Sequence, residues 1–204
     1  MIIDKIGKGV VRLKNIISKS KADNYIDELK ENFSKIFQHN KIKPRQNLKM
    51  PSGIYSPIID LTVGPLAIND SRAREYSHLV NVHKEFFGII KKRSVNKNEF
   101  NYYRNPNPRC FIGIEVEDTT QNKAKYIEGS ICNLYILAKV GILVTLQSKT
   151  TIRRIYKYLQ YSKDRRKTPE YLFKNVALMT KKDLDSALQE YLLKKKHEKI
   201  KSYG

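Results

Sequence analysis

The amino-acid sequence predicts an α/β protein with a mixed central sheet flanked by helices. The prediction starts from the segment between Cys110 and Leu146, where two apolar runs, 111–114 and 140–146, have the length and composition of strands. Between them, apolar residues recur at helical spacing: Tyr126, Ile127, Ile131, Leu134, Tyr135 and Ala138. A strand, a helix and a second strand are therefore expected. The hydrophobic fraction of 40% is sufficient for a globular core.

The length of 204 residues indicates one main domain. No apolar run reaches about 18 residues, and residues 1–15 lack the apolar core of a secretory signal, which predicts a cytoplasmic protein without a membrane span. Cys110 and Cys132 match no zinc or disulfide spacing, so both are expected to be reduced, buried thiols.

The N-terminal part predicts a basic lead over residues 1–19 and then a helix over about residues 21–38. Ser20 and Asp23 form a capping-box pattern at its start. The apolar stripe of this helix consists of Ala22, Tyr25, Ile26, Leu29, Phe33, Ile36 and Phe37. Residues 39–53 are basic and contain two prolines and a glycine, which predicts a loop.

A second strand is predicted over 54–63, a β-branched run that ends at Gly64-Pro65. A second helix follows at about residues 70–95, with an apolar stripe formed by Tyr76, Leu79, Val80, His83, Phe86, Phe87 and Ile90. Residues 94–109 predict a polar connection, part of which, around Phe100 to Tyr103, can form a short strand.

Beyond Leu146 the sequence predicts a basic helical extension over residues 147–204. A helix is expected over 151–161, a basic turn over 162–168, and a short helix beginning at Pro169. Thr180 and Asp183 repeat the capping pattern before a last helix, whose apolar face consists of Leu184, Ala187, Leu188, Tyr191 and Leu192. The predicted domains are therefore the 1–19 lead, a 20–146 core with a helical insertion, and this extension.

The net charge is the strongest global property of the chain. Lys and Arg together number 40 against 20 Asp and Glu, a balance of +20. The excess is +7 in residues 1–50, +3 in 51–146 and +10 in 147–204, so two basic flanks enclose a nearly balanced centre. Such a field attracts polyanions, which predicts nucleic-acid binding. A lysine-rich, solubilising surface is the alternative interpretation.

Acidic residues occur in the apolar strands at two places. Glu115 and Glu117 end the central strand and point to one face, whereas Val116 points to the other, because side chains alternate along a strand. Asp60 lies inside the predicted strand over 54–63, where a carboxylate is rarely without a role. Two acids on one face repel each other unless a cation or a proton compensates them.

This pattern resembles the PD-(D/E)XK nuclease superfamily, which has the restriction-endonuclease-like fold. The resemblance covers about residues 20–146, and IGIEVE is similar to the motif of BamHI-like restriction enzymes, in which Glu takes the usual place of Lys. It implies that Asp60 and Glu115 bind Mg²⁺, or Mn²⁺, with the carbonyl of Val116 as a further ligand. It places Glu117 at the lysine position, as a second metal ligand or a group that orients water.

The sequence departs from that family at three points. Ile59 stands where the proline of the family name would be, and 55 residues separate Asp60 from Glu115, which requires the helical insertion. The third departure is the absence of lysine at position 117. Lys123 or Lys125, at the start of the following helix, can replace it. Otherwise Glu117 itself holds a second metal or orients water, and if neither alternative works, the fold is kept without catalysis.

Several alternatives stay open for these residues. Glu115 and Glu117 can be a solvated strand end, and Asp60 can be a structural acid near Gly64. The basic residues that follow the core are predicted to bind nucleic acid: Arg153, Arg154, Lys157, Arg165, Arg166 and Lys167. The tyrosines interleaved with them either stack on bases or pack within a helical unit.

The expected function is metal-dependent hydrolysis of phosphodiester bonds in DNA, with RNA left open as substrate. Cleavage of both strands would call for a homodimer, and no organic cofactor is expected. The main alternative is a nucleic-acid-binding protein without catalysis. A third is a protein whose basic surface meets an acidic protein partner.

Overall fold

The computed structural model describes residues 19–37, 44–49, 58–67, 72–105, 107–118, 124–166 and 173–201. These contain five strands: β1 (Pro44–Lys49), β2 (Ile58–Leu66), β3 (Cys110–Glu117), β4 (Ala138–Thr145) and β5 (Val176–Thr180). They contain six helices: α1 (Lys21–Ile36), α2 (Ala73–Val82), α3 (Lys84–Arg93), α4 (Ala124–Leu137), α5 (Lys149–Arg166) and α6 (Lys181–Lys201).

The strands form one sheet in the order β1-β2-β3-β4-β5. β2 is antiparallel to both of its neighbours, β1 and β3, whereas β3, β4 and β5 are parallel. The parallel connections pass through α4 and α5, as parallel strands require. The predicted α/β class, with a mixed sheet flanked by helices, is therefore confirmed.

Helices cover both faces of the sheet. On one face, α1, α3 and α6 bury an aromatic core that includes Phe33, Phe37, Phe86, Phe87 and Phe111. On the other face, a second apolar cluster unites α4 and α5 with β4 and β5. Both faces of β4 are thus covered, and all eight of its residues are buried. This explains its nearly continuous apolar sequence.

The predicted capping patterns at the starts of α1 and α6 are present in the hydrogen bonds, as a complete capping box at α1 and as a hydroxyl cap at α6. The Ser20 hydroxyl accepts from the backbone N–H of Asp23 at 3.0 Å, and the Asp23 carboxylate accepts from the backbone N–H of Ser20 at 3.2 Å. At the start of α6, the Thr180 hydroxyl accepts from the Asp183 N–H and donates to its carboxylate. Both helices begin immediately after the capping residue, as expected.

Two glycines let α4 approach the sheet closely. A Cβ on Gly113 would lie 3.1 Å from Leu134 Cδ2, and a Cβ on Gly141 would lie 2.9 Å from Leu134 Cβ and 3.0 Å from Val176 Cγ2. Leu134 therefore occupies the space that side chains at these two positions would need. Both glycines have ordinary backbone angles, so their role is close packing.

The predicted loop over 39–53 is wrong for residues 44–49, which form β1. This strand, PRQNLK, contains one leucine among polar residues and lies at the edge of the sheet, paired only with β2. Backbone pairing, and not apolar alternation, defines it, and its first residue is Pro44, as edge strands permit.

Three further boundaries differ from the predictions. The second helix is divided into α2 and α3 at His83, a buried residue in edge contact with Phe37. Gly64 and Pro65 do not end β2, because the strand continues to Leu66 through an irregularity at which Gly64 has a φ of 98°. The residues around Phe100 to Tyr103 form a turn instead of a short strand.

The prediction that residues 147–204 are a helical extension is also wrong. Residues 176–180 form β5, which pairs with β4 and is buried throughout, so this region completes the sheet. Residues 162–166 continue α5 and are not a turn. Pro169 and nearly all of the predicted lead lie outside the described residues.

The free edge of β5 is covered by the segment after α3. The Val95 N–H donates to the Leu178 carbonyl at 2.9 Å. The Asn96 side-chain amide donates to the Val176 carbonyl at 2.8 Å, and its Oδ1 accepts from the Leu178 N–H at 3.0 Å. Asn96 thereby makes the two hydrogen bonds that a neighbouring strand would make.

Among the described residues, no helix is long and apolar enough to cross a membrane. Both cysteines carry free thiols, and Cys110 is buried whereas Cys132 is only half-buried. Burial raises the pKa of the Cys110 thiol to about 12.

Candidate active site

Asp60 and Glu115 lie where β2 and β3 separate. The two strands pair as far as Leu61 and Ile114. One step further, Asp60 and Glu115 stand opposite each other, while β3 goes on pairing with β4 through Glu117 and Thr145. The Asp60 Oδ2 accepts from the Val116 N–H at 2.8 Å. A side chain thus satisfies a backbone donor of β3 that has left the β2 ladder.

The carboxyl groups of Asp60 and Glu115 are joined by a hydrogen bond. Burial, the charge of Asp60 and this hydrogen bond raise the pKa of Glu115 to about 9, and the charge of Glu117 adds to the effect. Burial also raises the pKa of Asp60. At neutral pH, Glu115 is therefore protonated and donates a hydrogen bond to the Asp60 carboxylate.

Within the described part of the chain, neither carboxyl group forms an ion pair with Lys, Arg or His. Glu115 is 7% exposed and Asp60 is half-buried, and no cation of the described residues compensates them. The donors available here are the two carboxyl groups and the carbonyl of Val116. Such hard oxygen donors fit Mg²⁺, which binds to proteins through one or two carboxylates and completes its coordination with water or phosphate.

Glu117 stays apart from this pair. Its Oε1 accepts from the Ser130 hydroxyl of α4 at 2.7 Å, and its backbone carbonyl accepts from the Leu146 N–H. Among the residues that the structure describes, no three His, Cys, Asp or Glu side chains are grouped so as to hold a metal ion. The structure thus brings together two of the three predicted carboxylates and turns the third toward α4.

Asp23 is an acidic neighbour that the sequence did not indicate as part of the site. Its negative charge acts on Asp60 and helps to raise the pKa of that carboxyl group. In the sequence, Asp23 is recognisable only as the N3 residue of the capping box at the start of α1. Its carboxylate makes the expected hydrogen bond with the backbone N–H of Ser20. Its proximity to Asp60 follows from the packing of α1 on the sheet, which no local pattern reveals.

The predicted basic site residues are only partly described. Arg153, Arg154 and Lys157 are exposed on α5. Arg154 also lines an apolar groove of about 210 Å³ between α4 and α5, which Ile127 and Tyr158 border. The remaining predicted residues have side chains outside the described part of the chain: Lys123, Lys125, Arg165, Arg166 and Lys167.

A wide cleft adjoins the carboxyl ends of the strands. It has a volume of about 680 Å³ and lies where β4 leads into α5 and β5 into α6. Lys149 and Lys182 are exposed there, while Lys181 forms ion pairs with Glu28 and Asp185. The Gln147 amide, at the cleft, donates to the Asp118 carboxylate just beyond β3. Two carboxylates, Asp183 and Asp185, also line the cleft.

Comparison of the chain with models of known protein families, with curated protein sequences and with solved structures gives no match.

Proposed function

We propose that the protein is a metal-dependent endonuclease that hydrolyses phosphodiester bonds in DNA. The observation that carries the proposal is the pair of buried Glu115 and half-buried Asp60, which meets where two strands separate and has no cationic partner among the described residues. Two adjacent acids that share a proton are arranged to exchange it for a divalent cation.

The order of the elements supports the same proposal. A helix precedes β1, β2 and β3, the acids lie on β2 and at the end of β3, and α4 leads into the parallel strand β4. This succession agrees with the resemblance to the PD-(D/E)XK nucleases that the sequence alone suggests. The insertion required by the spacing between the two acids corresponds to α2 and α3.

The proposed mechanism assigns a different task to each side chain. Asp60 and Glu115 would hold Mg²⁺ or Mn²⁺, with the Val116 carbonyl as a further ligand. When bound, the ion supplies polarisation of a phosphoryl oxygen and acidification of a water. Glu115 would release its proton to solvent in order to hold the ion, and the Val116 N–H keeps Asp60 in position. Glu117, held by Ser130, is available to orient water.

Charge supports nucleic acid as the substrate. The balance of +20 attracts phosphate backbones. Lys149 and Lys182 are exposed at the cleft, where Gln147 donates to Asp118 just beyond the strand that carries Glu115. The exposed Arg153, Arg154 and Lys157 extend this basic surface along α5. A homodimer would provide one such site for each strand of a duplex.

A plasmid-nicking assay with Mg²⁺ or Mn²⁺ tests the proposal. Asp60→Asn and Glu115→Gln should each lower the rate by at least about 100-fold, because both remove a negative ligand of the ion. Glu31→Gln, the same change at an exposed position of α1, should cut at the wild-type rate. Cutting by Glu115→Gln at the rate of Glu31→Gln, or cutting unaffected by EDTA, would overturn the proposal.

Nucleic-acid binding without catalysis is the second candidate. The observation in its favour is the separation of Glu117 from the acid pair, together with the absence of lysine at that position. In this case neither wild type nor Glu115→Gln cuts the plasmid. Both would bind DNA with equal affinity and with the steep salt dependence of phosphate contacts.

A further inference from the structure

A second groove lies at the opposite end of the central strands, where β4 begins. It has a volume of about 600 Å³ and is bounded by one side of α2, by Tyr103 and Arg104, and by Lys139 near the start of β4. In the parallel pairing, Glu115 lies beside Leu143, four residues after Lys139. At a strand rise of about 3.3 Å per residue, the two places are about 13 Å apart along β4.

Of the described residues that line this groove, all are basic or neutral and none is acidic. Arg74, His78 and Arg104 are exposed to solvent, and Arg74, on α2, and Arg104, next to Tyr103, both line the groove. Arginine presents several N–H donors in a planar group that matches phosphate oxygens. The groove therefore has the charge and the donors of an anion site.

Lys139 is the buried member of this group, at 3% exposed. Its ammonium donates to the carbonyls of Tyr103 at 3.0 Å and Asn105 at 2.8 Å. Burial lowers its pKa, and no carboxylate of the described residues forms an ion pair with it. An ammonium has three donors, so one is left after these two bonds. An anion in the groove would supply the missing negative charge.

Tyr103 adds an aromatic surface to the groove. Its side chain is 49% exposed, and its hydroxyl donates to Asn81 Oδ1 of α2 at 3.3 Å. The ring thus extends toward α2 beside the arginines. An aromatic ring next to cationic donors is a combination that recognises a nucleotide, because the base stacks while the phosphate is bound.

We propose that this groove binds a nucleoside phosphate, with its phosphate on Arg74, Arg104 and Lys139 and its base against Tyr103. The nucleotide can be free or part of a single-stranded nucleic acid, since both present the same chemistry. The site is separate from the acid pair and does not depend on the proposed nuclease activity.

Binding measurements in EDTA test this site without any cleavage. The probes are AMP, inorganic phosphate and a short single-stranded oligothymidylate, each at the same ionic strength. The Arg74→Ala/Arg104→Ala variant should bind AMP at least about tenfold more weakly than wild type. The matched control, Lys84→Ala/Lys196→Ala, removes the same charge from exposed positions elsewhere and should bind AMP as wild type does.

A loss confined to the arginine variant supports the site, and the affected probe identifies the source of the ligand. Weaker AMP binding indicates a free nucleotide, whereas weaker binding of the oligothymidylate alone indicates a nucleic-acid strand. Equal binding of every probe by both variants would overturn the proposal, because the attraction would then come from net charge. A folded Lys139→Met variant that binds AMP and oligothymidylate as tightly as wild type would overturn the role of Lys139.

Discussion

The two ends of the central strands contain ionisable groups of opposite kinds, the acid pair of Glu115 and half-buried Asp60 at one end and buried Lys139 at the other, and neither forms an ion pair among the described residues. At one end, Glu115 and Asp60 compensate each other by sharing a proton. At the other end, Lys139 keeps its ammonium by donating to two backbone carbonyls. The difference shows that the sheet holds ionisable groups in two ways. At the acid pair, a proton removes one of the two negative charges. At Lys139, the dipoles of two backbone carbonyls stabilise the positive charge.

Glu115→Gln should give the largest change in stability. The pKa of Glu115 rises from 4.5 in the unfolded chain to about 9 in the folded protein, so unfolding releases a proton between these values. Its contribution to stability is complete below pH 4.5 and is lost as the pH rises toward 9. In EDTA at pH 8, the variant should therefore be more stable than wild type by ~2 kcal/mol or more.

Urea unfolding at a series of pH values measures this effect. The advantage of Glu115→Gln should shrink as the pH falls to 5, and Mg²⁺ should reduce it at pH 8 by stabilising only the wild type. An advantage that grew toward acid pH would contradict the assignment of the shared proton.

Gly141→Ala should have the next largest effect, because it disturbs the helix that connects the two ends. The new methyl group would lie 2.9 Å from Leu134 Cβ, which neither backbone can easily relieve. A loss of about 1–3 kcal/mol is expected from overpacking, measured by thermal unfolding. Gly88→Ala is a suitable control, since a Cβ there has no neighbour within 4 Å and Ala favours a helix. Equal stability of both variants would show that α4 can move aside.

Lys139→Met should give a smaller effect with the opposite pH dependence. Burial lowers the pKa of Lys139 in the folded protein, so its contribution to stability is complete above the unfolded value of 10.5 and is lost as the pH falls. Wild type should therefore gain stability relative to the variant as the pH rises from 7 to 10. Chemical unfolding at these two pH values gives the sign. If Lys139→Met instead became more stable relative to wild type at high pH, the lowered pKa of Lys139 would be wrong.

Ser130→Ala should have the smallest effect. It removes the hydrogen bond that turns Glu117 toward α4, at a cost of ~1 kcal/mol or less in stability. Plasmid nicking should change less than in Glu115→Gln, since the acid pair is untouched. A loss of nicking as large as that of Glu115→Gln would show that the position of Glu117 matters as much as the pair.

Local sequence patterns identified the helices and strands that bury regular apolar stripes. β3, α4 and β4 were predictable because their apolar residues follow the period of each element, and α1 and α6 because capping boxes mark their starts. β1 was missed because its residues are polar and only pairing with β2 defines it. β5 was missed because its five buried residues show no alternation and stand in a basic, helix-rich region.

The candidate site was predictable to the extent that alternation and burial determine it. Two same-face acids on β3 and an acid within an apolar run were visible, and the antiparallel register then brings Asp60 to Glu115. The turn of Glu117 toward Ser130 and the proximity of Asp23 depend on how α4 and α1 pack, which has no sequence signal. Lys139 resembles a surface lysine in the sequence, because the carbonyls that bury it come from residues 103 and 105.

The hydrogen bonds of Asn96 also constrain how two copies of the protein can associate. Many proteins dimerise by aligning edge strands into one continuous sheet, which requires unsatisfied peptide groups on the outer strand. At β5 these groups are already occupied by Val95 and by the carboxamide of Asn96. The proposed homodimer would therefore have to form through helices or through β1. Asn96→Ala would expose peptide groups of β5 and so allow edge-to-edge pairing of sheets from different molecules.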